Sequence, residues 1–122
     1  MTEREEEARD ELVTEQRSFN RTTWQRLREH GVRDEDRMVL QFSYWAPDCR
    51  HAEELLKHLI GEGVARMSPS DGDEWLVSGA TAPVSVTLAF LGDWVTRMID
   101  LGLSVGCVFD GWGTETPARS SG

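Results

Sequence analysis

Cys49, His51 and His58 fall close enough together to suggest a metal site, since thiolate and imidazole are the donors that zinc and copper prefer. Placed on one helix, however, His51 and His58 stand two turns apart on the polar side, while Cys49 points to the apolar stripe. No second Cys/His pair follows at zinc spacing, so neither a metal nor another cofactor is expected. Nucleophilic catalysis would need a Ser or Cys next to a base. The third histidine, His30, closes a different helix, and no such set is implied. There is no glycine loop leading into Lys-Ser or Lys-Thr to cradle a phosphate. Carboxylate pairs such as Glu53-Glu54 or Asp71 with Asp73 recur in so acidic a chain and read as solvated faces and turns. Only Asp110 has a distinctive place, just ahead of Gly111-Trp112-Gly113. As a catalytic acid it would need Glu115 or a histidine beside it; in a turn it needs only backbone N–H groups to accept. The sequence therefore reads as non-enzymatic.

The segment around Asp110 organises the rest. Val105, Cys107 and Phe109 alternate with Ser104, Gly106 and Val108, as a strand with one apolar face does. The alternation stops at Asp110-Gly111-Trp112-Gly113, where two glycines free the backbone for positive φ on either side of a large ring. Trp112 then has two readings. It caps the core, or it is offered outward as a rigid anchor for a partner.

The elements that must position this turn can be taken in chain order. Residues 3–30 read as one long helix whose first turns carry Glu3, Glu5, Glu6, Glu7, Asp10 and Glu11, where carboxylates complement the helix dipole. Its apolar stripe is thin: Leu12, Phe19, Trp24 and Leu27, with Val13 at the margin. Such a helix should dock through Phe19 and Trp24, and its first ten residues, nearly without anchors, should fray. His30-Gly31 stops it. After a charged linker, residues 38–45 alternate as a strand, and Pro47, at or near the first helical position, opens a strongly amphipathic helix ending at Gly61. Residues 64–68 and 74–78 form a hairpin around a Pro/Ser/Asp/Gly turn. A second helix is expected over 84–101, closed by Gly102, with Gly92 marking close packing. The order is helix, then β-α-β-β-α-β. This predicts an α+β, ferredoxin-like fold: a four-stranded antiparallel sheet of order 4-1-3-2 with an additional N-terminal helix. The boundaries are an acidic helix and linker over 1–36, a domain over 37–114 and a loose tail over 115–122.

The chain has 122 residues and a net charge of −9, which disfavours direct nucleic-acid binding and favours a basic protein surface. No apolar run is long enough to span a membrane, and the acidic N-terminus is unlike a signal peptide, so the expected compartment is the cytoplasm. Two cysteines make no disulfide framework and read as buried free thiols.

The frame and its motifs resemble a known family. Asp110-Gly111-Trp112-Gly113-Thr114 following β-α-β-β-α, preceded by Glu15-Gln16-Arg17, a helix stop at Gly31 and Asp34-Glu35-Asp36, is similar to the ribonuclease E inhibitor family, regulator of ribonuclease activity B (RraB). The likeness covers about residues 15–114. It implies a non-enzymatic protein that binds an endoribonuclease of the ribonuclease E type through a basic segment and lowers its cleavage of RNA. Asp110, Gly111, Trp112 and Gly113 are by this resemblance the hallmark turn. The last residues depart from the family, with Pro117 and Arg119 where a strongly acidic tail can run on. The acids from Glu3 to Glu11 then remain to grip a basic partner. The alternative is a ferredoxin-like small-molecule sensor using the open sheet face. Gln41, Ser43 and Trp45 would line that face, with Trp75 if its strand turns that way, unless the N-terminal helix or a second copy covers it.

Overall fold

The computed structural model describes residues 2–114. Among these residues three α-helices, α1 (Glu3–Glu29), α2 (Cys49–Leu59) and α3 (Leu88–Ser104), accompany six strands: β1 (Arg37–Met38), β2 (Leu40–Ala46), β3 (Val64–Pro69), β4 (Trp75–Ala80), β5 (Val84–Ser85) and β6 (Val108–Thr114). Strands β3-β4-β2-β6 form one antiparallel sheet in that order. Numbering those four alone along the chain gives the expected 4-1-3-2, with β6 on an edge. An element not foreseen is a separate two-stranded sheet, in which Arg37 pairs with Ser85 and Met38 with Val84.

Each helix starts on a side chain that accepts an orphan backbone N–H: Thr2 from Glu5, Asp48 from His51 and Thr87 from Phe90. Pro47 therefore precedes the cap instead of occupying the first helical position. The cap at Thr87 also explains why α3 begins at Leu88 and not near Val84, whose backbone pairs with Met38. At the other end Gly102 does not close α3. The helix runs to Ser104 and ends in a Schellman motif, with Cys107 N–H donating to the Gly102 carbonyl (2.9 Å) and Gly106 N–H to that of Leu103 (3.2 Å). Gly106, at φ +74°, supplies the left-handed residue this motif needs.

The core lies on one face of the four-stranded sheet. Along β2, Leu40, Phe42, Tyr44 and Ala46 point inward and are buried, opposed by Ala52, Leu55 and Leu59 of α2 and by Leu91, Trp94, Val95, Met98 and Ile99 of α3. Trp94 is the aromatic hub, with ring centroids of Phe42, Phe90, Phe109 and Trp112 all 6.2–6.5 Å away. Tyr44 is fully buried and its hydroxyl donates to the Met98 carbonyl at 2.7 Å; burial pushes its pKa far up, so it is a permanent donor. Trp75 pairs with Ala46 and packs against the core, which takes it off the open face.

Helix α1 does not cover the open sheet face. It lies antiparallel on α3: Arg9 meets Asp100 through two hydrogen bonds (2.6 and 3.1 Å), while Arg17 reaches Thr96 (3.5 Å) and passes over Gly92. The fraying expected of the first ten residues leaves out that polar clamp, because a lone arginine in a charged run gives no sign of its partner 91 residues away. No helix of the described residues is long and apolar enough to cross a membrane. The tail over 115–122 and Glu115 within it lie outside the described residues.

Two glycines of α3 should respond oppositely to a methyl group. A Cβ on Gly92 would meet only the Arg17 guanidinium at 3.9 Å, so Gly92→Ala should gain about 0.5–1 kcal/mol from helix propensity. A Cβ on Gly102 would fall 2.6 Å from the Tyr44 ring, and Gly102→Ala should lose about 1–3 kcal/mol from overpacking. Urea unfolding of the two variants, read at constant slope, checks both signs.

Candidate functional site

The Asp110-Gly111-Trp112-Gly113 segment is itself strand, not the turn that ends one. Leu40 pairs with Thr114, Gln41 with Gly113 and Phe42 with Trp112, and the register then shifts: Ser43 faces Gly111 but Tyr44 faces Phe109. Asp110 is the extra residue of a β-bulge. Gly111 takes φ +115°, a conformation that a side chain would strain, whereas Gly113 has no positive φ. The expectation of positive φ on both sides of the ring thus holds on one side only.

The bulge changes which way Trp112 points. In an unbroken strand, residues an odd number apart face opposite sides, so Phe109 inward would send Trp112 outward. With Asp110 and Gly111 together opposing one residue of β2, both Phe109 and Trp112 point inward. Trp112 is only 6% exposed and packs edge-on against Phe19 (5.6 Å) and Trp94 (6.2 Å). Of the two readings of this ring, the geometry is that of a core residue. A partner meeting this segment would touch Asp110, which is exposed, and the backbone beside it.

The ring's polar edge meets a residue that the sequence pattern does not single out. Trp112 Nε1 donates to Asn20 Oδ1 at 2.6 Å, and Asn20, in the middle of α1, is 1% exposed. An asparagine within a charged helix reads as surface. Its only sequence signal is adjacency to Phe19 and a helical spacing of four from Gln16 and Trp24. Those three side chains share a face, and each keeps one buried polar atom without a partner among the described residues: Gln16 Oε1, Asn20 Nδ2 and Trp24 Nε1. Trp24 sits beneath the Arg28 guanidinium (5.2 Å) and not against Trp112.

The other candidate residues are dispersed. Glu3, Glu5, Glu6, Glu7, Asp10 and Glu11 are all exposed on α1; Asp10 accepts from Arg9 at 3.2 Å, and Glu5 and Glu11 face a groove between α1 and the end of α3. His51 Nδ1 lies 2.7 Å from Asp48 and His58 Nε2 3.7 Å from Glu54, and among the described residues no three His, Cys, Asp or Glu side chains group as metal ligands would. The backbone N–H and then the ring of His51 hold the Asp48 carboxyl below its usual range. Cys107 is buried as expected, but Cys49 is half-buried. The open sheet face carries a hollow of about 660 Å³ that spans all four strands, with Gln41, Ser43, Arg66, Ser78 and Asp110 among its lining.

The Trp112–Asn20 contact can be weighed by substitution. Trp112→Phe keeps the ring but leaves Asn20 buried and unpartnered, costing about 1–3 kcal/mol, whereas Trp112→Ala empties the seam and costs about 3–5 kcal/mol. Pairing Trp112→Phe with Asn20→Leu should be less damaging than the sum of the single changes, which a double-mutant cycle in urea measures. The thiols give a separate check. Burial pushes Cys107 up to about 11 and raises Cys49 as well, so iodoacetamide at pH 8 should label the native protein slowly and Cys49 before Cys107; mass spectrometry of quenched samples reads the order.

A search against family models matches residues 17–114 to the family described as regulator of ribonuclease activity B. No curated protein matches the chain. The matched span runs from the middle of α1 through the whole sheet to the end of β6, so it takes in Asn20, the bulge and Trp112 together. The chain belongs to the regulator of ribonuclease activity B family, a family of regulators and not of enzymes.

Proposed function

We propose that this protein binds and inhibits an endoribonuclease of the ribonuclease E type, and so modulates RNA decay, by occupying a surface of that enzyme. The family match over most of the described chain carries this reading. The net charge of −9 supports a basic segment as the surface that is met, and the same charge argues against direct contact with RNA. An α+β frame with helices on one face of its four-stranded sheet leaves two surfaces of the described residues for a partner: the acidic half of α1, and the open face next to Asp110.

The hollow on the open face favours a second reading, a small-molecule sensor. Its lining sets Gln41, Ser43, Ser78, Arg66 and Asp110 among small residues and the exposed Val64, a mixture that suits a metabolite with both polar and apolar parts. A metabolite screen that raises the melting temperature by several degrees with one compound would promote it.

The primary reading is tested with the host's ribonuclease E-type enzyme. Immobilised protein should retain the enzyme at about 50 mM salt and release it by about 0.5 M, since screening shortens the reach of exposed charges. Added to a cleavage assay on a structured RNA, the protein should slow the enzyme at saturating ratio without itself cleaving or retaining RNA. Full cleavage in the presence of excess protein overturns the proposal.

A further inference from the structure

The groove between the N-terminal half of α1 and the end of α3 combines an apolar floor with an acidic rim. It encloses about 770 Å³. Leu12, Leu103 and Val108 line its floor, and the last two are more than a third exposed, unusual for large aliphatic side chains brought together from three different elements. Glu5, Glu11 and Glu15 line the rim. The one cation there, Arg9, is already held by Asp100 and Asp10. Glu5, Glu11 and Glu15 make no ion pair among the described residues, so the rim carries uncompensated negative charge.

We propose that this groove receives an arginine- or lysine-rich segment of the protein partner, with a large apolar side chain of that segment resting on Leu12, Leu103 and Val108 and its cations on Glu5, Glu11 and Glu15. The proposal rests on the reading of the protein as a binder of another protein, and it names the site and the chemistry that reading lacks. Charge complementarity selects the occupant. A second copy of this acidic chain would bring like charge to the rim, and an acidic or purely apolar segment would leave the carboxylates facing either repulsion or an uncharged surface. The rim also fits a short segment: Glu5 to Glu15 spans ten residues of helix, about 15 Å, which an extended chain covers in about five residues. A segment of that length needs no fold of its own, as an unstructured basic region has none.

The full-length protein is titrated against a fluorescein-labelled peptide alternating arginine and leucine, and against a copy with serine for leucine. The leucine peptide should bind about tenfold tighter than the serine copy. Glu11→Lys with Glu15→Lys should weaken the leucine peptide by tenfold or more, while Asp71→Lys with Asp73→Lys, the same change of net charge on the β3–β4 turn, should leave it within twofold. Leu103→Ser, at an exposed position that leaves the fold intact, should erase the preference for leucine. Equal loss from both charge reversals, or an unchanged preference in Leu103→Ser, overturns the groove. The same variants are then tested for retention of the ribonuclease. Retention by the native protein that survives the groove variants defeats the groove and leaves the proposed function standing. Groove-dependent peptide binding without any retention of the ribonuclease upholds the groove and defeats that function.

Discussion

One buried hydrogen bond ties the N-terminal helix to the sheet. Asn20 Oδ1 and Trp112 Nε1 are 2.6 Å apart although the two residues are 92 positions apart in the chain, and Asn20 is the only buried polar residue among those described. A buried amide that loses its partner forfeits its desolvation as well as the bond, so α1 has one favoured register on the domain. The thin apolar stripe of α1 could not impose that register alone, because Phe19 stays 44% exposed and Leu12, Val13, Trp24 and Leu27 are only partly buried. At the other end of the helix the Arg9 pair with Asp100 fixes direction, and being exposed it adds specificity more than strength.

The hydrogen bond in turn depends on the bulge. Without the extra residue Asp110, the pleat would deliver Trp112 to the open face, away from Asn20 and Trp94. Gly111 is where the chain accommodates that insertion, at a positive φ that only glycine adopts freely. The four residues Asp110, Gly111, Trp112 and Gly113 therefore have separate duties. Asp110 is the inserted residue and stays in solvent, Gly111 absorbs the kink, Trp112 enters the core, and Gly113 continues the strand opposite Gln41.

This arrangement bears on function by removing the obvious anchor from the surface. With the ring committed to the core, recognition falls to surfaces that the bulge and α1 create around it. The antiparallel packing of α1 on α3 forms the acidic groove, and the absence of α1 from the open sheet face leaves the hollow beside Asp110 uncovered by the described residues. Both surfaces are products of where α1 docks, so the buried Asn20–Trp112 contact shapes the exterior as well as the core.

Much of this architecture is legible in the order of the amino acids alone. Period-2 and period-3.6 patterns locate the three helices, β2 and the β3–β4 hairpin, and the order of the elements leads to the 4-1-3-2 order of the main sheet, because inward residues such as Phe42, Leu55 and Trp94 must alternate or recur with the geometry of the backbone that carries them. Strand β6 is displaced, since the alternation from Ser104 to Cys107 belongs to the end of α3 and the motif that closes it. The charge of −9 and the Asp110-Gly111-Trp112-Gly113 motif are likewise legible, and the motif points to the family that the comparison shows. What pattern does not convey is anything that depends on two distant residues meeting: Arg9 with Asp100, the pairing of β1 with β5, and Asn20 with Trp112. Local sequence sets which way a side chain leans relative to its neighbours along the chain. Whether Trp112 faces solvent or core turns on one residue of register between β6 and β2, and register is settled only when the strands pair.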